Sequence, residues 1–147
     1  MNSYHASILA DFLRRRLLVQ GISFTFETVM SSRDKVEFLA EAKRTGFRTY
    51  LYFVATEDSA INVDRVRHRV STGGHPVPEA KITSRYHRSL AHLADAVAAT
   101  DRAYLFDNSS HEKVWIAEVT AGCELQMRTE AMPAWFKSSL WDKFEDE

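Results

Sequence analysis

Guanidinium groups are concentrated in residues 64–88, DRVRHRVSTGGHPVPEAKITSRYHR. Arg65 and Arg69 are four residues apart and share one face of a predicted helix, and Arg85 lies on a second predicted helix beyond a glycine pair. Arginine binds phosphate oxygens through planar pairs of hydrogen bonds and stays charged at any physiological pH. Two arginine-bearing helices with a flexible connection are suited to close over ATP and to neutralise a transferred phosphoryl group. The segment therefore predicts a phosphoryl-transfer lid.

Two other interpretations of this arginine segment stay open. It could be an ordinary solvated basic face partnered by Asp58, Asp64 and Glu79, and the charges alone favour that interpretation because exposed charge runs usually have no specific role. It could also bind nucleic acid. The segment lacks interleaved exposed aromatic residues, however, and the formal net charge of the chain is -1. We therefore expect no nucleic-acid partner.

Polar side chains follow three predicted strands at the point where each strand ends. These are Glu27-Thr28, Thr56-Glu57 and Asp107-Asn108-Ser109. Ligands of open α/β sheets bind beyond the carboxyl ends of the strands, so these residues are candidates for one binding site. The six histidines form no such group. His87 and His92 are five residues apart, which does not align them on one helix face, and we expect no metal site.

Helices and apolar strands alternate along the chain, and these elements must position the candidate residues. The predicted helices cover residues 3–19 and 33–45 and begin again near Asp58, Pro78 and Pro133; the predicted strands cover residues 22–26, 49–54 and 103–106, with two more around Ala121-Gly122. This alternation predicts a single α/β domain over residues 1–147, with three layers and a mostly parallel sheet.

Composition excludes several classes of protein. A hydrophobic content of 45% with 27% charged residues is ordinary for a globular domain and argues against a disordered chain. No stretch is apolar enough to span a bilayer, so we expect no membrane partner. The single cysteine, Cys123, cannot form an internal disulfide, which fits a reducing, cytoplasmic compartment.

Six short motifs occur in an order that resembles the zeta-toxin-like P-loop kinases. They are Phe26-Glu27-Thr28, Ala42-Lys43-Arg44-Thr45-Gly46-Phe47, Arg65-Val66-xx-Arg69-Val70, Gly73-Gly74-His75-xx-Pro78-Glu79, Ser84-Arg85-Tyr86 and Asp107-Asn108-Ser109. The likeness covers residues 3–110 and continues more loosely through Pro133 and Trp135. The resemblance implies a P-loop NTPase sheet and an ATP-dependent, Mg²⁺-requiring phosphotransferase. It also implies a small-molecule acceptor, which for toxin members is UDP-N-acetylglucosamine, and an antitoxin partner.

The resemblance also assigns roles to residues on the nucleotide side. Arg69 and Arg85 match the lid arginines that contact the ATP phosphates, and Arg65 is close to them. Asp107 and Asn108 match a loop beside the nucleotide. The first two are therefore expected to take part in catalysis, and the other three to bind nucleotide.

On the acceptor side, Glu27 and Thr28 match the acidic strand-end motif that faces the substrate. The second threonine that the family usually carries after this glutamate is Val29 here. The acceptor chemistry of this chain could therefore differ from that of the family.

The main departure from the family is the phosphate-binding loop. None of the five glycines belongs to a G-x-x-x-x-G-K-[ST] motif, which normally supplies backbone N–H groups, a lysine and a magnesium-binding hydroxyl. The strand that precedes this loop in the family, and the catalytic aspartate, also have no counterpart here. We expect the fold to be incomplete at the N-terminus and the chain to be inactive alone.

In the family's sheet the strand without a counterpart lies between the predicted strands at residues 22–26 and 49–54. Either these two strands pair directly, or a complementing N-terminal segment pairs with both. The alternative function is a non-catalytic binding module that self-associates or regulates a partner. Self-association predicts a homo-oligomer, to which the aromatic residues after Pro133 could contribute.

Overall fold

A four-stranded mixed sheet organises the chain in the computed structural model, which describes residues 2–145. The strands lie side by side in chain order: β1 (Tyr50–Ala55), β2 (Arg102–Asp107), β3 (Val114–Thr120) and β4 (Glu124–Met127). β1 and β2 are parallel, whereas β2–β3 and β3–β4 are antiparallel. The predicted α/β class is confirmed. The expectation of a mostly parallel sheet is wrong because the predicted tail hairpin adds two antiparallel pairings to a single parallel one.

Helices account for most of the remaining chain. They are α1 (Ser3–Val19), α2 (Arg33–Arg44), α3 (Ser59–Ser71), α4 (Glu79–Ala91), α5 (Leu93–Ala98), α6 (Ala134–Phe136), a π-helical turn (Lys137–Trp141) and α7 (Asp142–Glu145). The predicted starts of the first four helices are confirmed to within a residue. Asp58 caps α3 by accepting a hydrogen bond from the Ala60 N–H at 2.8 Å. No helix among residues 2–145 is long and apolar enough to cross a membrane.

The buried core lies on one face of the sheet. Strand residues such as Leu51, Leu105 and Val119 point into it, and α2, α5 and the C-terminal helices cover them. The opposite face leaves Tyr52 66% exposed and Trp115 39% exposed. Within the described residues the expected third layer is therefore missing, and the domain has two layers.

The predicted strand at residues 22–26 does not form. The segment is extended and packs Phe24 and Phe26 against Leu18, Phe38 and Ala42, but it joins no sheet. A strand requires a neighbouring strand with which it exchanges backbone hydrogen bonds. The nearest strand in the chain is β1, which lies at the edge of the sheet and pairs only with β2. The two predicted strands therefore do not pair directly, and one edge of β1 stays open.

The aromatic residues after Pro133 are core residues. Trp135 is 3% exposed and Phe136 is completely buried, and both pack in the main cluster. Trp135 and Phe136 are therefore not available for an oligomer interface, whereas Trp141 and Phe144 are partly exposed.

Candidate functional site

A cleft of about 1170 Å³ lies along the open edge of β1. One wall is β1 itself, the opposite wall is the extended segment 23–30, and α3 and α4 border the carboxyl end of β1. The cleft exists because segment 23–30 packs through its side chains without approaching β1 closely enough to pair. Its position agrees with the rule that places ligands at the carboxyl ends of sheet strands.

Six of the seven candidate residues from the sequence line this one cleft. The structure brings together three arginines from the lid segment and three polar residues from the strand ends: Arg65, Arg69, Arg85, Glu27, Thr28 and Asn108. Asp107 does not line it. The sequence separation between Thr28 and Asn108 is 80 residues, so their convergence is a property of the fold and not of local sequence.

Arg48 lines the cleft as well, and none of the four cleft arginines forms a salt bridge within residues 2–145. Arg65 donates one long hydrogen bond of 3.4 Å to the backbone oxygen of Ser110. Arg67, in contrast, faces away from the cleft and joins α3 to α4 through Glu79 at 3.0 Å, with Asp64 at 3.3 Å. The solvated-face interpretation therefore describes Arg67, whereas Arg65, Arg69 and Arg85 remain available for an anion.

The glycine pair ends α3 and positions Arg69. Gly73 has a φ of +99° and donates to the Val70 oxygen at 3.0 Å, and Gly74 donates to the Arg69 oxygen at 2.9 Å. This pattern is the Schellman helix ending. A Cβ on Gly74 would lie 2.7 Å from Arg69 Cγ and 2.9 Å from its carbonyl oxygen. The absence of a side chain at Gly74 therefore leaves room for the stem of Arg69.

The opposite wall carries Glu27 and Thr28, both exposed. The Thr28 hydroxyl oxygen accepts a hydrogen bond from the Met30 N–H at 3.2 Å. Met30 is 5% exposed and has a φ of +55°, an uncommon value for a residue with a side chain. Burial of Met30 in the main core therefore holds the turn that follows Glu27 and Thr28.

Asp107 has a structural role in this fold. Its carboxylate accepts hydrogen bonds from the Trp135 indole N–H at 2.7 Å and from the N–H and hydroxyl of Ser109, each at 3.0 Å. The Ser109 hydroxyl oxygen in turn accepts from the Glu57 N–H at 2.8 Å. These bonds fix the loop after β2 and join it to α6. The side chain is therefore engaged inside the protein, and Asn108 is the residue of this loop that reaches the cleft.

Tyr86 is a cleft residue whose polar role the sequence did not indicate. Its hydroxyl donates to the backbone oxygen of Thr56 at 2.7 Å, which ties α4 to the end of β1. Burial, together with the nearby carboxylates of Asp58, Glu57 and Asp107, raises the pKa of the Tyr86 phenol. The helical spacing of Ile82, Tyr86 and Leu90 suggested only packing, because spacing shows which face a residue occupies and not which backbone oxygen lies opposite.

The cleft residues suit a phosphate-bearing ligand better than a metal ion. Guanidinium groups form charge-assisted hydrogen bonds with phosphate oxygens, and the Glu27 carboxylate and the Thr28 hydroxyl line the same cleft. Among residues 2–145 no group of three or more His, Cys, Asp or Glu side chains is placed to hold a metal ion. These side chains fit the phosphates of ATP but do not provide a ligand set for Mg²⁺, which prefers oxygen ligands in octahedral geometry.

Comparison with known proteins gives one match to report. The chain is 31% identical over 67 residues to an uncharacterized protein of Haemophilus influenzae. The match covers 46% of this chain and 48% of that protein, so the chain matches about half the length of its relative. No protein-family model and no solved structure matches the chain. Since the relative is itself uncharacterized, the function has to be argued from the site.

Proposed function

We propose that this chain is the lid and acceptor part of a zeta-toxin-like P-loop kinase, which transfers a phosphoryl group from ATP to the hydroxyl of a small molecule such as a nucleotide sugar. The observation that carries the proposal is the single cleft that Arg65, Arg69 and Arg85 line together with Glu27 and Thr28. Cationic side chains that neutralise the transferred group and polar side chains that orient the acceptor are two of the parts that phosphoryl transfer uses.

In this proposal each wall of the cleft has one task. Arg69 and Arg85 bind the transferred phosphoryl group and neutralise its charge, and Arg65 and Asn108 bind the rest of the nucleotide. Glu27 and Thr28 orient the acceptor hydroxyl. Asp107, which the resemblance assigned to the nucleotide side, supports the loop that carries Asn108. Closing the cleft over ATP would exclude water, and bound ATP would contribute the phosphoryl group.

The phosphate-binding loop must come from a completing segment, either in the same polypeptide or in a partner chain. The open edge of β1 and the unpaired segment 23–30 support this proposal, since both expose backbone groups to the cleft. The segment would also contribute the ligands for Mg²⁺ that the described residues lack. Without it we expect the chain to bind ATP weakly and to transfer no phosphate. The antitoxin that the resemblance implies remains a second proposed partner.

Calorimetric titration with Mg-ATP tests the arginine assignment. We expect weak binding, with a Kd on the order of 0.1–1 mM. Arg69→Ala/Arg85→Ala should weaken it at least tenfold, because each lost charge-assisted hydrogen bond costs about 1.5–3 kcal/mol. The matched control is Arg67→Ala/Arg88→Ala, which removes two arginines of the same helices that do not line the cleft.

Equal affinities in the two double variants would contradict the assignment of Arg69 and Arg85, since bulk charge would then explain any binding. Absence of binding by the unchanged protein at millimolar Mg-ATP would contradict a nucleotide site in this chain. It would favour the second candidate function, a non-catalytic binding module, which the exposed apolar side chains of α1 and the sheet support.

A further inference from the structure

Each of the two arginine helices presents one stripe of side chains to the cleft. The stripe of α3 contains Asn62, Arg65, Val66 and Arg69, and that of α4 contains Ile82, Arg85, Tyr86 and Ser89. Residues three, four and seven positions apart lie on one side of a helix. Each stripe therefore combines arginine with a neutral polar side chain that bonds beyond its own helix, Asn62 on α3 and Tyr86 on α4.

Both polar side chains bond to the same residue, Thr56, which directly follows β1 and is 4% exposed. The Tyr86 hydroxyl donates to the Thr56 backbone oxygen at 2.7 Å. The Thr56 hydroxyl shares its hydrogen between the Asn62 side-chain oxygen, at 3.2 Å, and the backbone oxygen of Asp58, at 3.1 Å. Asp58 is the cap of α3. Thr56 is therefore a junction at which the end of β1 meets both arginine helices.

Few other contacts fix α3 and α4 on the domain. Val63 is the one buried residue of α3, and α4 has none. The ion pair between Arg67 and Glu79 joins the two helices to each other on their exposed side. Among the described residues, Tyr86 is the only side chain of α4 that forms a hydrogen bond outside the two helices, and on α3 Arg65 adds a long one of 3.4 Å. The bonds to Thr56 are therefore the short polar contacts that set the orientation of these helices on β1.

We propose that Thr56, Asn62 and Tyr86 are positioning residues, which hold the arginines of α3 and α4 toward the cleft. The inference rests on the proposed function for its ligand, because that function assigns these arginines to the phosphates of ATP. Arg85 directly precedes Tyr86 and is half-buried, and no ion pair within the described residues orients its guanidinium. Its direction therefore depends on the backbone of α4. Cations that are fixed before binding lose less freedom when they bind phosphate, and the affinity is higher.

The proposal makes a separate assignment for each helix. Asn62 lies about one turn before Arg65 and two turns before Arg69 on the same side of α3. Tyr86 adjoins Arg85 on α4. Loss of the Tyr86 hydroxyl should therefore loosen Arg85 alone. Loss of the Asn62 side chain should loosen the two arginines of α3. A residue that only stabilises the fold would show no such division between the arginines.

The first test follows the arginine side chains by NMR in the protein without nucleotide. The order parameter of each Nε–Hε bond, measured by ¹⁵N relaxation at mildly acidic pH, reports how firmly the guanidinium is held. Tyr86→Phe should lower the order parameter of Arg85 by about 0.2 or more and leave those of Arg65 and Arg69 unchanged. Asn62→Ala should give the reverse pattern.

Two variants of Thr56 provide a matched pair. Thr56→Val removes the hydroxyl and keeps the shape of the side chain, so it should repeat the pattern of Asn62→Ala and replaces that variant if circular dichroism shows it to be unfolded. Thr56→Ser keeps the hydroxyl and should behave as the unchanged protein. Tyr104→Phe removes a phenol hydroxyl outside the cleft and should change none of the three arginine order parameters.

The second test is a double-mutant cycle on Mg-ATP affinity, measured by NMR titration because the expected binding is weak. Tyr86→Phe should weaken binding about fivefold in the otherwise unchanged protein and less than about twofold in the Arg85→Ala background. The reason is that a positioning residue acts only through the group that it positions. In the Arg69→Ala background the effect of Tyr86→Phe should persist, since Arg69 belongs to the other helix.

Three results would overturn the proposal. The first is a set of arginine order parameters that stays unchanged in both Tyr86→Phe and Asn62→Ala, and the second is an equal loss at all arginines of the cleft in both variants. The third is an effect of Tyr86→Phe on affinity that persists in Arg85→Ala, because Tyr86 would then contact the ligand itself. Absence of Mg-ATP binding by the unchanged protein would contradict the proposed function instead, and the order parameters measured without nucleotide would still decide whether these residues position the arginines.

Discussion

The two ends of the chain differ in how completely they are packed. In the C-terminal region, from α5 to α7, Leu105, Phe136 and Leu140 are at most 1% exposed. In the N-terminal region, from α1 to β1, Phe12 is 57% exposed and Tyr52 is 66% exposed. Apolar patterning therefore produces a core only where a second apolar element of the same chain lies opposite.

Backbone pairing follows the same division. β2 is paired on both sides and β1 on one side only, while segment 23–30 belongs to no sheet. The cleft lies along the open edge of β1, where segment 23–30 and the arginines of α3 and α4 meet, and the exposed apolar residues of α1 belong to the less complete region. Binding sites need surface that the domain itself does not fill. The comparison thus predicts that changes to buried side chains of the C-terminal region alter stability, whereas changes to the exposed apolar side chains of α1 alter it little.

The largest expected difference is between two phenylalanines. Phe136→Ala should lower the free energy of unfolding by about 3–5 kcal/mol, since it leaves a cavity in a core where this side chain is completely buried. Phe12→Ala should change it by less than about 0.5 kcal/mol in the monomer, because the side chain has few contacts to lose. Urea unfolding followed by circular dichroism measures both values. The protein concentration should be low enough to prevent association.

A loss above 2 kcal/mol for Phe12→Ala in the monomer would break the comparison, because it would mean that α1 is packed as firmly as the C-terminal core. Leu9→Ala, at a residue 47% exposed on the same helix, is the control for a local effect at position 12. Similar small effects at both positions would extend the conclusion to the exposed apolar side of α1.

The hydrogen bond between Trp135 and Asp107 should have a smaller but clear effect. Trp135→Phe keeps an aromatic ring in the core and removes the indole N–H that donates to Asp107 at 2.7 Å. Loss of a partly buried bond to a carboxylate costs about 1–3 kcal/mol. The same change should weaken Mg-ATP binding only slightly, because Asp107 supports the loop but does not line the cleft. A tenfold weaker affinity for Mg-ATP with an unchanged free energy of unfolding would instead indicate that Asp107 takes part in nucleotide binding.

The sequence predicted the local elements better than it predicted their partners. The helical spacing of Ile8, Phe12 and Leu13 correctly predicts a helix, since this spacing depends only on neighbouring residues. The pattern of residues 22–26 indicated a strand, but a strand needs a second strand and none is available beside it. Similarly, the turn residues Ala121-Gly122 predict the hairpin of β3 and β4, but the sequence of this hairpin alone does not predict that β3 pairs antiparallel with β2.

The candidate site shows the same limit. Arg69 and Glu27 were identified as residues of the right type, and the fold brings both to one cleft, although their roles stay predictions. The engagement of Asp107 with Trp135 joins residues 28 positions apart, and the bond from Tyr86 to Thr56 spans 30. Such distant contacts depend on how the helices pack on the sheet. Side-chain chemistry is therefore visible in the sequence, whereas availability of a side chain for a ligand is not.

The smallest predicted effect concerns Asp101, which joins the two regions at the start of β1 and β2. Hydrogen bonds from the Thr49 N–H, at 2.7 Å, and from its hydroxyl lower the pKa of the Asp101 carboxyl below its ordinary value of 3.8. The folded state therefore favours the charged form. Its stabilising contribution is complete above the pKa of the unfolded chain and is lost as pH falls through the lower pKa of the folded protein.

Asp101→Asn should therefore reduce the melting temperature near neutral pH. The difference in melting temperature between the variant and the unchanged protein should become smaller as the pH falls below about 4. The side chain is 38% exposed, so solvent screening should keep the effect below about 1 kcal/mol. Asp11→Asn is the matched change in the N-terminal region, where hydrogen bonding from Arg15 of the same helix lowers the pKa of Asp11. Because the Asp11–Arg15 hydrogen bond lies within α1, Asp11→Asn should weaken this helix locally without changing the melting temperature of the whole protein. Equal shifts in both variants between pH 7 and 3 would show that α1 unfolds together with the C-terminal core, and the division between the two regions would then be wrong.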